Sequence, residues 1–536
     1  MKKYLFFVVW MIIFIPTAWA QSDLPDDYLS KDFHKGRREA FRALMPENSV
    51  SAIFSYGQKV FSNDVNYFYH PNPDLYYLTG YKEPDAILLI FKETQIDGSL
   101  SYDELFFVRK RDAIRETWEG RRLGVEGVKD KLGFTHVFEG KEFKDFPIDF
   151  KKLDIKIHGE FPVDIGDDET GYDVFGLMES FQQKANIDYN REKIKLQGLL
   201  QSLKWSLSVK SIAYFTSYCK KLSLVNAEVR NNNIIKRVIN NPDSLEINAI
   251  KSDIQIEQSG IDYFWKITST LREVKTNEEL VLLRKAIELS CVAHNEVIKS
   301  ATPKMSENMA HGIHLYVHKH YGAEDEGYSP IVGAGANGCI LHYDANNKKR
   351  LDNDLLLMDV GAEYHGYTAD VTRTFPATGK FSPEQKAIYE IVYEAQEEVF
   401  KICKEGTPFS ALNKAATAVI AKGLLKLGII KDESEVRTYY PHGCSHYLGL
   451  DVHDKGMGGN LKTNSVITVE PGIYIPADSP CDKKWWNIGV RIEDDILILK
   501  DGFENLSSMS PRKWNEIEKL ANQKSKFNEL VLPDLK

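Results

Sequence analysis

The chain has 536 residues, 43% hydrophobic and 11% aromatic, enough to build a sizeable core across two or three domains. Its formal net charge of −9 carries no clustered basic surplus, so nothing in it points to nucleic acid as a partner. Six cysteines, scattered without C-x-x-C spacing, are expected to be buried thiols rather than a disulfide framework of the kind that staples small secreted domains.

The first residues read MKKYLFFVVWMIIFIPTAWAQ: two lysines, an apolar run from Leu5 to Ile15, and Ala18-Trp19-Ala20 before Gln21. That order predicts a signal peptide over residues 1–20, cleaved near Ala20-Gln21, and an exported protein that is periplasmic or secreted. The run is shorter than the ~20 apolar residues of a spanning helix, and no later stretch reaches that length, so no stable membrane insertion is expected.

From residue 21 onward, helical and strand-like patterns alternate. "RREAFRALMP" has helical spacing, whereas "SAIFSYG", "DAILLIF" and "LFFVRK" are β-prone, which predicts a mixed α/β domain. Residues of about 170–265 change character, with "LQGLLQSLKWSLSVKSIAYFTSYCKKL" at helical spacing. They are read as a helical insertion or linker within an N-terminal domain of 21–265. A second domain is expected over 266–515, with 516–536 as a peripheral tail. It opens where Thr276 and Glu279 form a capping box and Leu280, Leu283, Ile287 and Cys291 trace one helix face. Another helix starts at Ser382-Pro383, with Gln385 closing its box. Strands between and after these helices make this half an α+β layer rather than a βαβ repeat.

"VGAGANG" carries Gly333-x-Gly335-x-x-Gly338, the spacing of a dinucleotide-binding loop. The "CILHYDANNKKRLDND" that follows has no helical period, so a plain glycine-rich loop is expected. The next stretch is less ordinary. "LLLMDVGAEYHGYTADVTRTF" reads as two β-prone runs joined by a bend at Glu363–Gly366, a pairing that sets Asp359 directly opposite Asp370. Like charges ~4.5–5.5 Å apart across a ladder are destabilising, so a positive group is expected between them.

Three later segments also put ionisable side chains where a strand wants apolar ones. "PHGCSHYLGLDVHD" holds His442, His446 and His453. "NSVITVEPGIYI" drives a strand into Glu470, and "NIGVRIEDDILIL" places Arg491 and Glu493 on one face. Each alone is commonly an edge or loop residue, because charges are seldom buried unpaired. Together, Asp359, Asp370, Glu470 and Glu493 would carry four negative charges, which two divalent cations balance. Oxygen-rich ligands with one imidazole suit Mn²⁺, Fe²⁺, Co²⁺ or Zn²⁺, and a dinuclear site is a hydrolase's equipment. No H-E-x-x-H or G-x-S-x-G motif supports a single-zinc protease or a serine nucleophile.

The "ILHY", "MDVGAEYHGYTADVTRTFP", "HGCSHYLGLDVHD", "VEPGIYIP" and "GVRIED" segments closely resemble the pita-bread metallopeptidases, and within them the aminopeptidase P (Xaa-Pro aminopeptidase) family. "NPDLYYLTGYKEPDAILLI" and "RKRDAIRETWEGRRLG" resemble that family's N-terminal domain. The resemblance implies Asp359, Asp370, His446, Glu470 and Glu493 as ligands of two ions, usually manganese, with Asp370 and Glu493 bridging them. It implies His342, His442 and His453 as substrate-side histidines, and Tyr474 and Arg491 as their support. It further implies a homo-oligomer, dimer or tetramer, and peptide substrates with proline second. Alternatives on the same fold are an Xaa-Pro dipeptidase and a non-catalytic peptide-binding module.

Overall fold

The computed structural model describes residues 27–162, 173–187, 189–255 and 258–530, so the leader expected over residues 1–20 lies outside it. Among the described residues no helix is long and apolar enough to cross a membrane. All six cysteines are free thiols; Cys219, Cys291, Cys403 and Cys444 are buried, whereas Cys339 and Cys481 are half-buried rather than buried as expected.

The N-terminal part is built on a five-stranded mixed sheet. Its spatial order runs Val137–Glu139, Leu100–Val108, Ile87–Asp97, Ser49–Phe54 and Ile155–His158, the two outer pairings being parallel. The run from Ile87 to Phe91 is buried on both faces because helices cover each side, which explains why it is continuously apolar rather than alternating. Helix Lys31–Leu44 lies on one side, capped by Ser30 and burying His34, Arg38 and Phe41.

Beyond it, helices Arg191–Ser206, Ile212–Val225, Ala227–Asn231, Asn233–Ile239 and Ser244–Asp253 enclose a separate core that includes Leu203, Cys219, Val229 and Ile235. Asparagine and aspartate N-caps account for the breaks between several of these short helices: Asn190, Asn226, Asn232 and Asp243 each accept hydrogen bonds from the first-turn N–H groups.

In the C-terminal part every strand pairing is antiparallel, and long helices flank the sheets. Both expected capping boxes are present, on helices Asn277–Ser300 and Pro383–Phe400. The glycine-rich "VGAGANG" forms strand Ile331–Ala334 and a 3₁₀ turn over Gly335–Cys339, with no α-helix opening at its third glycine. Helix Trp514–Ala521 buries Ile517 in the main core, so the chain is still packed where the expected peripheral tail begins.

The two halves share one of their cores. Leu75, Tyr76 and Tyr77 from helix Pro73–Thr79 pack with Leu283, Ile287, Tyr364 and Tyr367. At ~1.5–3 kcal/mol for each large apolar side chain taken fully out of water, this cluster fixes the N-terminal part against the hairpin that carries the aspartates.

Candidate metal centre

The hairpin is tighter than the sequence suggested, and its register differs. His365 and Gly366 both have positive φ, 49° and 84°, the conformation of a two-residue type I′ turn. That turn pairs Tyr364 with Tyr367 and Glu363 with Thr368, and farther along it sets Asp359 opposite Thr372 rather than Asp370. The expected direct Asp359–Asp370 pair is therefore corrected: the slip of two residues keeps both aspartates on one face, as diagonal neighbours. At the level of Asp370 the strands close tightly, and a Cβ on Gly361 would fall 1.8 Å from the Ala369 carbonyl oxygen.

Non-glycine residues seldom hold positive φ, and His365 does so inside a network. Its ring stacks on Tyr28 at 3.7 Å and lies 2.7 Å from Asp27 Oδ1 and from Glu324 Oε1, while its carbonyl accepts a 2.8 Å hydrogen bond from Tyr76.

Around the hairpin lies a cleft of about 620 Å³ lined by Asp359, Asp370, His446, Glu470, Glu493, Arg491, His342, His442 and His453. One ligand atom each from Asp370, His446 and Glu493 lies within 4.8 Å of the others. Strand Val466–Val469 delivers Glu470 at its end, where Pro471 stops the ladder. The same strand holds His446, whose backbone N–H donates to Thr468 Oγ1. His446 Nδ1 lies 3.0 Å from the Tyr447 carbonyl, which can only accept, so Nδ1 carries a hydrogen and Nε2 is the ring nitrogen turned to the acids. Nε2 is 3.3 Å from Asp370 Oδ2 and 3.6 Å from Glu470 Oε1.

Glu493 does not continue a strand with Arg491 as the alternation suggested. The ladder breaks between Ile488–Arg491 and Asp494–Ile498, and Glu493 instead bridges to Thr372, whose hydroxyl donates to Oε2 at 2.6 Å. Asp359 turns to the Arg491 guanidinium, which also donates to the Tyr474 hydroxyl at 2.8 Å. That hydroxyl in turn donates to His442 Nε2 at 2.9 Å, because His442 Nδ1 faces the Gly443 carbonyl. Tyr474 thus sits behind the cleft wall, and His453 meets His446 edge-on at 4.4 Å. His342 lines the cleft as an exposed side chain.

Electrostatics make the acids incompatible with one another as they stand. Burial together with the neighbouring carboxylates Asp370 and Glu470 pushes Glu493 well above the usual carboxylate range. Burial and Asp359 raise Asp370, and burial drives Glu470 up to about 7 against the pull of His446 and Arg491. Asp359 alone is lowered: burial raises it, but the Arg491 charge and the hydrogen bonds from Tyr328 and Arg491 together outweigh that burial. For His446, burial opposes the charge, but Asp370 and Glu470 lift the imidazole to about 9. His442 goes the other way, held at about 4 by burial and by Arg491.

Among the described residues lining the cleft, Arg491 is the sole permanent cation against five carboxyl groups, the four above and the exposed Asp344. An inward-facing imidazole nitrogen and a surplus of buried carboxylate oxygens fit a divalent cation.

Two participants have no signal in the sequence that singled them out. The Tyr328 hydroxyl lies 2.5 Å from Asp359 Oδ1 and 2.6 Å from Asp370 Oδ1, joining the two aspartates, yet it comes from an aperiodic loop. Asp495 accepts the Asp370 backbone N–H at 3.1 Å and is held well above its usual range by burial and by Asp370. Its place inside the apolar run "DDILIL" was the available clue.

Residues 281–500 match the family described as Metallopeptidase family M24, and residues 34–154 match the Aminopeptidase P, N-terminal domain. Fold, cleft and matches together define a metallo-aminopeptidase. The Xaa-Pro aminopeptidase of Escherichia coli (strain K12) is 32% identical, over 92% of this chain and 98% of that one. The mitochondrial intermediate cleaving peptidase 55 of Arabidopsis thaliana is 28% identical, over 91% of this chain and 82% of that one. A solved structure of E. coli aminopeptidase P with the inhibitor Pro-Leu superposes with a TM-score of 0.71 at 31% identity, covering 92% of this chain and 98% of that one. This chain belongs to the aminopeptidase P family.

Proposed function

We propose that the enzyme removes the N-terminal residue from peptides whose second residue is proline, and that it is exported after its leader is cleaved. The observation that carries the reading is the convergence of Asp370, His446 and Glu493 in one cleft, with Glu470 3.6 Å from the same imidazole. Asp359, Asp370, His446, Glu470 and Glu493 would hold two divalent ions, manganese first, with Asp370 and Glu493 shared between them. Bound there, the ions would lower the pKa of a water toward neutrality and stabilise the negative charge that develops on the scissile carbonyl.

The protein's own groups handle the proton and the substrate. Glu470 takes the proton from the attacking water at a carboxyl oxygen. The amide nitrogen that leaves is tertiary and offers no N–H, so the cleft cannot recognise it through a backbone-type donor. That nitrogen must still gain a proton, which His453 or the protonated Glu470 supplies by general acid catalysis. His342 and His442 steady the carbonyl, with Tyr474 and Arg491 fixing the orientation of His442. A homo-oligomer, dimer or tetramer, completes the reading.

The test is purified protein with added Mn²⁺, Zn²⁺ or Co²⁺, assayed on Arg-Pro-Pro, an X-Pro dipeptide and a control tripeptide lacking proline. Release of arginine from Arg-Pro-Pro alone among the tripeptides is expected. Turnover restricted to the dipeptide assigns an Xaa-Pro dipeptidase instead, and metal binding without turnover assigns a peptide-binding module.

A further inference from the structure

The helical unit between Arg191 and Asp253 lies outside both family matches and contributes no residue to the metal cleft. Its core is closed on itself, so its outer face is free to serve something other than folding. That face has the wrong chemistry for idle surface. Helix Ile212–Val225 buries Phe215, Thr216 and Cys219 and turns Tyr214, Tyr218, Leu224 and Val225 outward, Leu224 and Val225 each 78% exposed. The two tyrosine rings stack in parallel on the surface, with centroids 5.9 Å apart. Just before this helix, Trp205 is 74% exposed and Val209 66%. An amphipathic surface helix ordinarily shows water its polar side.

The charge of the same stretch is equally one-sided. No Asp or Glu occurs from residue 193 to 227, while Lys210, Lys220 and Lys221 are exposed between and beside the aromatic residues, in a chain whose net charge is −9. Amphipathic aromatic rings, exposed aliphatics and exposed lysines along one acid-free stretch of helix and preceding turn are what an interfacial site on an acidic bilayer requires. The helix lies along such a surface rather than across it, being 14 residues long.

We propose that this unit docks the enzyme on an anionic phospholipid surface through the outward face of helix Ile212–Val225 and the turn before it. Rings and aliphatics enter the headgroup boundary, and the three lysines pair with lipid phosphates. Charge complementarity favours this occupant over a second copy, which would bring the same positive face.

The experiment is flotation of the full chain with vesicles of phosphatidylcholine alone, and with about one-third phosphatidylglycerol added. Binding is expected to the second only, and to disappear in about 0.5 M NaCl, where charges are screened within a few ångströms. Near an acidic surface each lysine is worth about fivefold in partitioning, so Lys210→Glu with Lys220→Glu and Lys221→Glu should weaken binding about a hundredfold or more. Trp205→Ser with Leu224→Ser and Val225→Ser should also release the protein, with X-Pro-Y turnover and melting temperature unchanged. Absence of binding to the acidic vesicles overturns the proposal, as does binding that either triple variant leaves intact. So does sedimentation in which the triple variants dissociate an oligomer of the unsubstituted chain, since a second copy then covers the face. Failure of peptide cleavage with lipid binding retained would count against the peptidase assignment alone.

Discussion

Arg272 is the most consequential side chain outside the cleft, and replacing it by methionine tests how the two halves are locked. Its side chain is 1% exposed and donates to Asp74 Oδ1 at 2.8 Å, to Asp451 Oδ2 at 2.6 Å and to Asp454. Lys275 also meets Asp454, at 3.0 Å, and Lys455 meets Asp74 at 2.6 Å. Three carboxylates and three cations thus neutralise one another, joining helix Pro73–Thr79 to the loop that carries His453.

Deleting one partner of a buried pair costs about 3–5 kcal/mol, because the other charge is left without compensation. The two lysines remain, so a loss near the lower end, about 3 kcal/mol, is expected for Arg272→Met. Burial raises the Asp454 carboxyl, but Arg272 and Lys275 outweigh it and hold the group below its usual range. A depressed carboxylate contributes stability above its unfolded pKa of about 3.9 and loses that contribution as the pH falls through the folded value. The deficit of the variant is therefore expected to be largest near neutrality and to shrink below about pH 4. Urea unfolding followed by tryptophan fluorescence, at several pH values, measures it. Because Asp454 adjoins His453, kcat should fall as well. A loss under about 1 kcal/mol at pH 7, or a deficit that grows toward acid, would refute the reasoning.

Three other outcomes are expected. Burial holds the His34 imidazole down to about 4, so the fold keeps it neutral while the unfolded chain titrates near 6.5. The stability it contributes is complete above 6.5 and is lost as the pH falls toward 4, about 3 kcal/mol in all. His34→Gln should flatten the stability–pH curve over that interval by about one proton, and an unchanged slope excludes the assignment. Gly366→Ala places a Cβ 2.7 Å from Tyr76 Cε1 at a φ of +84°, so a loss of about 1–3 kcal/mol and a sharp drop in turnover should appear in calorimetry and peptide assay. Chelation should lower the melting temperature, and excess Mn²⁺ at a hundredfold its Kd should return about 2.7 kcal/mol; a midpoint indifferent to metal argues against the carboxylate cluster as its site.

The kind of chemistry was legible in the sequence because it depends on residue type in local context. Acids at 359, 370, 470 and 493 stand within or at the ends of apolar β-prone runs, and a histidine at 446 stands in a glycine-punctuated segment, where local structure alone does not favour them. Both capping boxes were likewise local, each closed within three residues. The hairpin register was not local. A two-residue turn at His365-Gly366 requires a histidine to hold positive φ, and what supports it there comes from Tyr28, Asp27, Glu324 and Tyr76, far away along the chain.

For the same reason Tyr328 between the aspartates, Asp495 beneath Asp370 and the Arg272 network gave no sequence signal that assigned them. Each acts through partners whose spacing along the chain follows no period. Sequence pattern therefore determined which side chains carry the charge, and only tertiary packing decided which of them meet, because contact between distant segments is set by the register and burial of the whole sheet.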